Sequence, residues 1–277
     1  MTRTLTGHSA IVTGAGRGFG RAIATRLALE GAAVTITSRT KSELDEVVED
    51  IRKAGGRAAA VASDVTRAAD VERVVLAARE QFGPVTLLVN NAGVPGPFGP
   101  LSAIDPTVWW AAQEVHVKAP LLYMRNVLPE MMERRAGRVI FVSALASRLP
   151  TPYMSAYCTG KISQNRLMAE AALEVKDRGV SLFAIDPGFV FTSLAESTMN
   201  SPDAQRWLPG MVERLKTKRD APDKERDFER CAQRCLDLAS GRYDALSGRY
   251  MELSDDLDAL LADLQAGKKP TGAGGAL

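Results

Sequence analysis

Histidine is almost missing from this chain: His8 and His116 are the two in 277 residues. Cysteine is nearly as scarce, with Cys158 alone and Cys231 and Cys235 four apart in a helical pattern. Neither residue type occurs at a metal-ligand or dithiol spacing, so no metal site is expected, and three free thiols in a reducing cytosol are. Charge of one sign is lacking too. The 35 basic and 33 acidic residues leave a formal charge of +2, which gives no electrostatic case for nucleic acid or an anionic membrane. No apolar run approaches the ~18 residues that span a bilayer. Met1-Thr2-Arg3-Thr4-Leu5-Thr6-Gly7 holds no apolar signal segment. The expectation is a cytoplasmic protein without membrane or nucleic-acid partners. No internal repeat is visible.

What is present is an alternation of short apolar runs with helical patterns. Strands are expected at 10–13, 33–37, 58–61, 85–89, 138–142, 180–185 and 249–253. Helices are expected at 21–30, 42–54, 69–82, 107–134, 155–178 and 255–265. The runs are apolar on consecutive positions rather than alternate ones, the mark of strands buried on both faces of a parallel sheet. This predicts a single α/β domain over residues 1–266: a Rossmann-like, doubly wound, seven-stranded parallel sheet flanked by helices. Residues 193–224 break the alternation, with Trp207, Pro209 and Met211 among charges, and read as a lid with short helices or as a surface insertion. The tail 267–277 is Gly, Lys and Pro and is expected to be disordered.

Thr13-Gly14-Ala15-Gly16-Arg17-Gly18-Phe19-Gly20 closes the first strand and opens the first helix. Gly14 permits a tight turn. Gly18 and Gly20 let backbone and helix approach a pyrophosphate, whose charge sits on the free N–H groups of the helix start. Past the second strand, a carboxylate would bind a ribose diol and a base would take a 2′-phosphate. The chain has Ser38-Arg39 there, and Arg17 adds a second guanidinium. Two arginines fork onto a phosphate, so NADP(H) is favoured over NAD(H); the alternative is two solvated surface arginines.

Tyr157 and Lys161 lie one helical turn apart in Ala156-Tyr157-Cys158-Thr159-Gly160-Lys161. Hydride transfer to a carbonyl leaves an alkoxide that needs a proton, and a free phenol with pKa near ~10 is a poor exchanger at neutral pH. One positive charge at roughly 5 Å, at an effective dielectric near ~20, favours the phenolate by about 3 kcal/mol, or ~2 pKa units.

The glycine spacing with Tyr-x-x-x-Lys downstream resembles the short-chain dehydrogenase/reductase family, over roughly residues 7–254. The resemblance implies that Tyr157 is the acid/base and that Lys161 also holds the nicotinamide ribose. Asp64, in Ser63-Asp64-Val65, would accept from the adenine amino group; an ordinary helix-capping aspartate is the plainer reading. Asn91-Ala92-Gly93 would lie beside the ribose and brace the sheet. In Pro187-Gly188-Phe189-Val190-Phe191-Thr192 the backbone would meet the carboxamide, with Thr192 bonding it. Phe19 and Val65 complete the expected cofactor contacts.

Two positions depart from the family. Its serine most often stands thirteen residues before the tyrosine, where this chain has Ala144, one past Ser143. A hydroxyl there would steady charge on the substrate oxygen. Either Ser143 serves, or Ser147 reaches in, or the role is vacant. In Val115-His116-Val117-Lys118-Ala119-Pro120, His116 replaces the family's relay asparagine. It would titrate near neutrality in a proton relay, or it is simply packed in its helix.

Apolar candidates for the substrate pocket are Leu145, Pro150, Tyr153, Phe189, Leu194, Met199 and Trp207, with no arginine clearly placed for a carboxylate. The expected function is hydride transfer between NADP(H) and a carbonyl or secondary alcohol of a medium-sized, mostly apolar substrate, as an alcohol dehydrogenase/ketoreductase. The alternatives are a catalytically weak nucleotide-binding sensor or scaffold, and a family member doing non-redox chemistry with bound cofactor. Family resemblance also implies a homodimer or homotetramer through the helices at 107–134 and 155–178.

Overall fold

The computed structural model describes residues 3–221 and 224–268. Among these the strands are β1 (Ser9–Thr13), β2 (Ala33–Ser38), β3 (Arg57–Ala62), β4 (Leu87–Asn90), β5 (Gly137–Val142), β6 (Val180–Ile185) and β7 (Tyr250–Met251). They form a single seven-stranded sheet in the order β3-β2-β1-β4-β5-β6-β7, every pair parallel. Every residue of β1 and of β6 is buried, as consecutive apolar positions require when helices cover both faces.

The helices are α1 (Gly18–Leu29), α2 (Lys41–Lys53), α3 (Ala68–Phe82), α4 (Pro106–Gln113), α5 (Ala119–Arg134), α6 (Ser155–Glu174), α7 (Ser193–Met199), α8 (Pro202–Trp207), α9 (Pro209–Arg219), α10 (Lys224–Ala239) and α11 (Leu257–Gln265). One face of the sheet packs Val12, Ile36, Val89 and Ile185 against Ile23 and Leu27 of α1 and Cys231 and Cys235 of α10. The other packs Ile11, Leu88, Phe141 and Leu182 against Val74 of α3, Tyr123 and Val127 of α5 and Met168 of α6. The chain leaves β1 in one direction to build β2 and β3, then returns to place β4 on its other side. That reversal opens a crevice at the carboxyl ends of β1 and β4, the usual place for a ligand in such sheets.

One helix, α10, was not expected from the sequence beyond the pattern at Cys231 and Cys235; the other differences are local. The helix expected at 107–134 is α4 and α5 joined by a π-turn at Glu114–Lys118. His116 is the buried residue of that turn. The helix expected to run to 178 stops at Glu174, and β7 shrinks to two residues. Of the 193–224 segment, residues through 219 form α7, α8 and α9. From residue 269 onward the tail lies outside the described residues. Among the described residues, no helix is long and apolar enough to cross a membrane.

Candidate active site

A cavity of about 580 Å³ runs along the crevice from the glycine turn to Tyr157. Its nucleotide end begins at Thr13. The Thr13 hydroxyl accepts from the N–H groups of Asn91 and Ala92, both at 3.0 Å. The Asn91 amide donates back to the Thr13 and Gly14 carbonyls at 2.8 and 3.1 Å. These bonds lock the ends of β1 and β4 together. Gly14 turns at φ +64°, where a Cβ would lie 3.0 Å from Ala92 Cα. At Gly20 a Cβ would lie 2.9 Å from Ala15 Cα. The turn is therefore tight against the strand ends, and α1 starts above it. Arg17 gives α1 no side-chain cap, so the first N–H groups of a twelve-residue helix have no side-chain acceptor there. Such a helix start has the donors and the positive end that suit a diphosphate. Gly18 and Phe19 border this space, and the Phe19 ring meets Phe228 of α10 edge-on at 5.0 Å.

Ser38 and the exposed Arg39 border the cavity where β2 ends. Arg17 does not stand alone there: its Nη1 lies 3.4 Å from Glu43 Oε1. Glu43, in the first turn of α2, also borders the cavity and was overlooked from sequence. Asp64 Oδ1 accepts from Thr66 N and Oγ1 at 2.9 and 2.8 Å, a local Asx turn. The Thr66 backbone bond, chiefly, holds this carboxyl below its usual range, with the Arg39 charge adding to it. Asp64 and Val65 still border the cavity.

Pro187, Gly188, Val190 and Thr192 line the cavity on the β6 side. The Thr192 hydroxyl accepts from Ala195 N at 3.2 Å and so caps α7. Its methyl would lie 3.8 Å from a Cβ on Gly18, which joins this turn to the glycine turn.

At the reaction end α6 presents Tyr157 and Lys161 on one face. The buried Lys161 donates to the Val142 carbonyl at 2.8 Å and to Gln164 Oε1 at 3.3 Å. That leaves one of its three N–H groups for the cavity. Burial lowers its pKa from 10.5 to about 7. Its Nζ stands 5.9 Å from the centre of the Tyr157 ring. The expected lowering of the phenol by this lysine is not what the site produces. Burial, then the charges of Asp186 and Cys158, push Tyr157 up. Desolvation of the phenolate wins, and the phenol stays protonated.

His116 is fully buried, with Nε2 2.9 Å from the Val94 carbonyl. A carbonyl only accepts, so Nε2 carries the proton and Nδ1 is the acceptor. Nδ1 is buried without a partner. Burial and then the Lys161 charge lower His116 to about 3, which overturns the expectation of titration near neutrality. Its ring meets Tyr157 edge-on at 5.5 Å. A Cβ on Gly160 would lie 2.8 Å from His116 Cβ. Gly160→Ala is therefore expected to destabilise the fold by about 1–3 kcal/mol through overpacking. An unchanged melting temperature in that variant would mean that His116 moves aside freely.

Ser143 and Ala144 both border the cavity. The Ser143 hydroxyl, however, is buried and has no hydrogen-bond partner. Ser147 is occupied elsewhere: its Oγ accepts from Asn165 at 2.8 Å and helps anchor α6. The cavity also holds Asp186, whose Oδ1 accepts from Leu145 N at 3.1 Å and whose pKa burial raises. Sequence reasoning passed over it as the residue before a Pro-Gly turn.

Leu145, Phe189 and Leu194 line the cavity as expected, together with Leu149, Met154, Met211 and Leu215. Pro150, Tyr153, Met199 and Trp207, also expected there, do not line it; Pro150 and Tyr153 are exposed. Tyr153, at φ +65°, stacks on Trp207 with centroids 5.1 Å apart, and Met199 packs on the small core of Phe98, Met154 and Leu208. Arg214 of α9 also lines the cavity, its guanidinium 4.8 Å from the centre of the Phe189 ring.

The family model described as short chain dehydrogenase matches residues 8–203. Short chain dehydrogenase MYCFIDRAFT_6125 of Pseudocercospora fijiensis (strain CIRAD86) is 34% identical over 266 residues, covering 94% of this chain and 84% of its own. The 2,5-dichloro-2,5-cyclohexadiene-1,4-diol dehydrogenase LinX of Sphingobium indicum is 36% identical over 204 residues, covering 73% of this chain and 79% of its own. Among solved structures, a metagenomic short-chain oxidoreductase in complex with NADP is 38% identical with a TM-score of 0.64, over 68% of this chain and 85% of its own. Levodione reductase, 23% identical, superposes with a TM-score of 0.80 over 90% of this chain and 96% of its own, a likeness of fold alone. Matched by the family model over most of its length and by a relative along nearly all of it, this chain belongs to the short-chain dehydrogenase/reductase family of oxidoreductases.

Proposed function

We propose that this chain moves a hydride between NADP(H) and the carbonyl or secondary alcohol of a medium-sized, mostly apolar substrate, with Tyr157 as proton donor and acceptor. The observation that carries this reading is Tyr157 in the cavity wall with the buried Lys161 one turn behind it. A nicotinamide, when bound, supplies or takes the hydride. The chain's residues do the rest. The glycine turn and the α1 start hold a diphosphate. Lys161 keeps its free N–H for a ribose hydroxyl, while Val142 and Gln164 fix its position. Tyr157 gives its proton to the oxygen of a carbonyl held against Leu145, Phe189 and Leu194. His116 stays neutral, and its unpartnered Nδ1 can accept from a water on a path that resupplies protons. Ser143 would have to turn its hydroxyl into the cavity to meet a substrate oxygen. The helices at 193–219 close the substrate side as a lid.

The preference for NADP(H) rests on Arg39 and Arg17, with Glu43 working against it. Arg39→Asp is expected to weaken NADPH binding about 10–100-fold, the loss of one charge-assisted bond plus repulsion, and to leave NADH nearly unchanged. Glu43→Gln is expected to tighten NADPH by releasing Arg17. Fluorescence titration of both cofactors checks this; an unchanged NADPH-to-NADH ratio in Arg39→Asp overturns the assignment.

A homodimer or homotetramer fits Val108 and Trp110 of α4, Leu121 of α5, and Ile162 and Leu173 of α6. All five are exposed apolar side chains, Trp110 at 64% and Leu173 at 71%.

NADPH consumption over a panel of cyclic and aryl ketones tests the main reading. The methyl of Ala144 favours a second one, a weak or non-redox member of the family. Tight NADPH binding with no consumption on any ketone would select it.

A further inference from the structure

Arg214 brings to the cavity a charge that the transfer of hydride and proton does not use. Among the described residues, the cations bordering the cavity are Arg17, Arg39, Lys161 and Arg214. Arg17 lies against Glu43 and Arg39 follows β2, both at the nucleotide end. Lys161 is tied to Val142 and Gln164. Of the four, Arg214 is the one carried by the helices after β6. Its helix, α9, is anchored: Leu208 and Val212 are buried with Phe98, Met154 and Ala204, and both Met211 and Tyr157 pack on that cluster. Met211, Arg214 and Leu215, at i, i+3 and i+4, share the face of α9 that borders the cavity. One helical turn, a rise of about 4.5 Å, therefore separates Arg214 from a residue on the same cluster as Tyr157. The guanidinium lies over the Phe189 ring, 4.8 Å from its centre. A ring face attracts a cation but accepts no fork of hydrogen bonds. Among the described residues no carboxylate or carbonyl meets the five N–H donors of Arg214. The acids close to it in the chain or on the cavity wall are engaged elsewhere: Glu213 by Lys216, Glu43 by Arg17, Asp64 by Thr66 and Asp186 by the Leu145 N–H.

We propose that Arg214 binds a carboxylate of the substrate, which makes the substrate an apolar keto acid, or the matching hydroxy acid, with its acid group remote from the reacting carbon. The proposal deepens the carbonyl-reduction reading and rests on it. The planar fork of N–H donors matches the two oxygens of a carboxylate. Met211, Leu215 and Phe189 beside it supply the apolar wall for the body of such a molecule. The carbonyl has to meet Tyr157 on α6, while the charge sits on α9, so the two functional groups stand at different ends of the substrate. Arg214 is exposed on its outer side. The pair it forms is half-shielded rather than buried, and its effect is a selection among substrates rather than a large gain in affinity.

The test compares benzoyl-substituted alkanoic acids of stepped chain length with their methyl esters as substrates for NADPH-dependent reduction, in the parent, Arg214→Lys, Arg214→Met and Arg214→Glu. The parent is expected to favour acid over ester about 10–100-fold in kcat/KM at one chain length, chiefly through KM, as one charge-assisted fork implies. Added salt should shrink that preference. Arg214→Met should bring the ratio of acid to ester near one, Arg214→Lys should keep part of it, and Arg214→Glu should invert it. NADPH Kd should stay at the parent value in Arg214→Met. A parent without acid preference at any chain length, or a preference that survives Arg214→Met, overturns the proposal. So does NADPH binding weakened about tenfold in Arg214→Met, which would put the guanidinium on the cofactor's diphosphate. Calorimetry of the same acids and esters on the NADP⁺-bound proteins reads the contact without turnover. Acids that bind the parent more tightly than their esters and lose that advantage in Arg214→Met, with no ketone reduced, would sink the carbonyl-reduction reading and uphold the carboxylate site.

Discussion

Tyr157→Phe is expected to lose about 10²–10⁴-fold in kcat, the usual worth of a positioned general acid, while NADPH binds as tightly as before. The substitution removes one oxygen. The ring keeps its edge contact with His116 at 5.5 Å and its place over Lys161. None of the glycine turn, Asn91 or the start of α1 touches that oxygen, so the nucleotide end should not register the change. The fold should hold, because burial keeps the phenol neutral and the change removes only its hydroxyl. Steady-state reduction of a ketone and fluorescence titration of NADPH check the two halves. A variant within about tenfold of the parent would place the proton donor elsewhere.

Lys161→Met is expected to abolish turnover and to stabilise the protein. The lysine is buried, and its pKa falls from 10.5 to about 7. Each unit corresponds to about 1.4 kcal/mol, so holding the charged form there costs about 4–5 kcal/mol. Methionine fills similar volume without charge but leaves the Val142 carbonyl without its donor, a loss of about 1–3 kcal/mol. A net gain of about 2 kcal/mol below pH 7 follows, or about 4–8 °C in melting temperature for a chain of this size. The direction with pH is fixed by linkage. The folded pKa is lowered, so the unfolded chain binds the extra proton between about 7 and 10.5. Parent stability should therefore rise through that window, and the rise should be missing in Lys161→Met. Thermal melts of the cofactor-free proteins at several pH values measure the difference. Equal pH slopes would mean that Lys161 keeps its charge without penalty.

The strand positions, the glycine turn and the Tyr157–Lys161 pair were legible in the sequence because each is local. A buried strand writes itself as consecutive apolar residues, and a helix face as a spacing of four. What stayed hidden depends on contacts between elements distant in the chain. Glu43 meets Arg17 across the gap between α2 and the glycine turn. Asp186 meets Leu145 across two strands. Arg214 reaches the cavity only because α9 folds back over Phe189. The π-turn was invisible because one extra residue in a helix leaves its apolar pattern intact, yet it holds the buried His116, whose titration lies far from neutrality. Tyr153 and Trp207 were assigned to the substrate wall by hydrophobicity alone. Hydrophobicity does not distinguish a cavity lining from an aromatic pair outside it.

The reversal between β1 and β4 has an inherited consequence. Every side chain proposed for the cofactor's 2′ end, from Arg17 to Val65, precedes that reversal in the chain. Every residue of the apolar substrate wall, from Leu145 to Leu215, follows it. Point changes in the two groups lie at opposite ends of one cavity and share no hydrogen-bond partner, so their effects should add. Cofactor choice and substrate choice can then drift independently across generations, or be exchanged by recombination at the level of β4, without one trait dragging the other along.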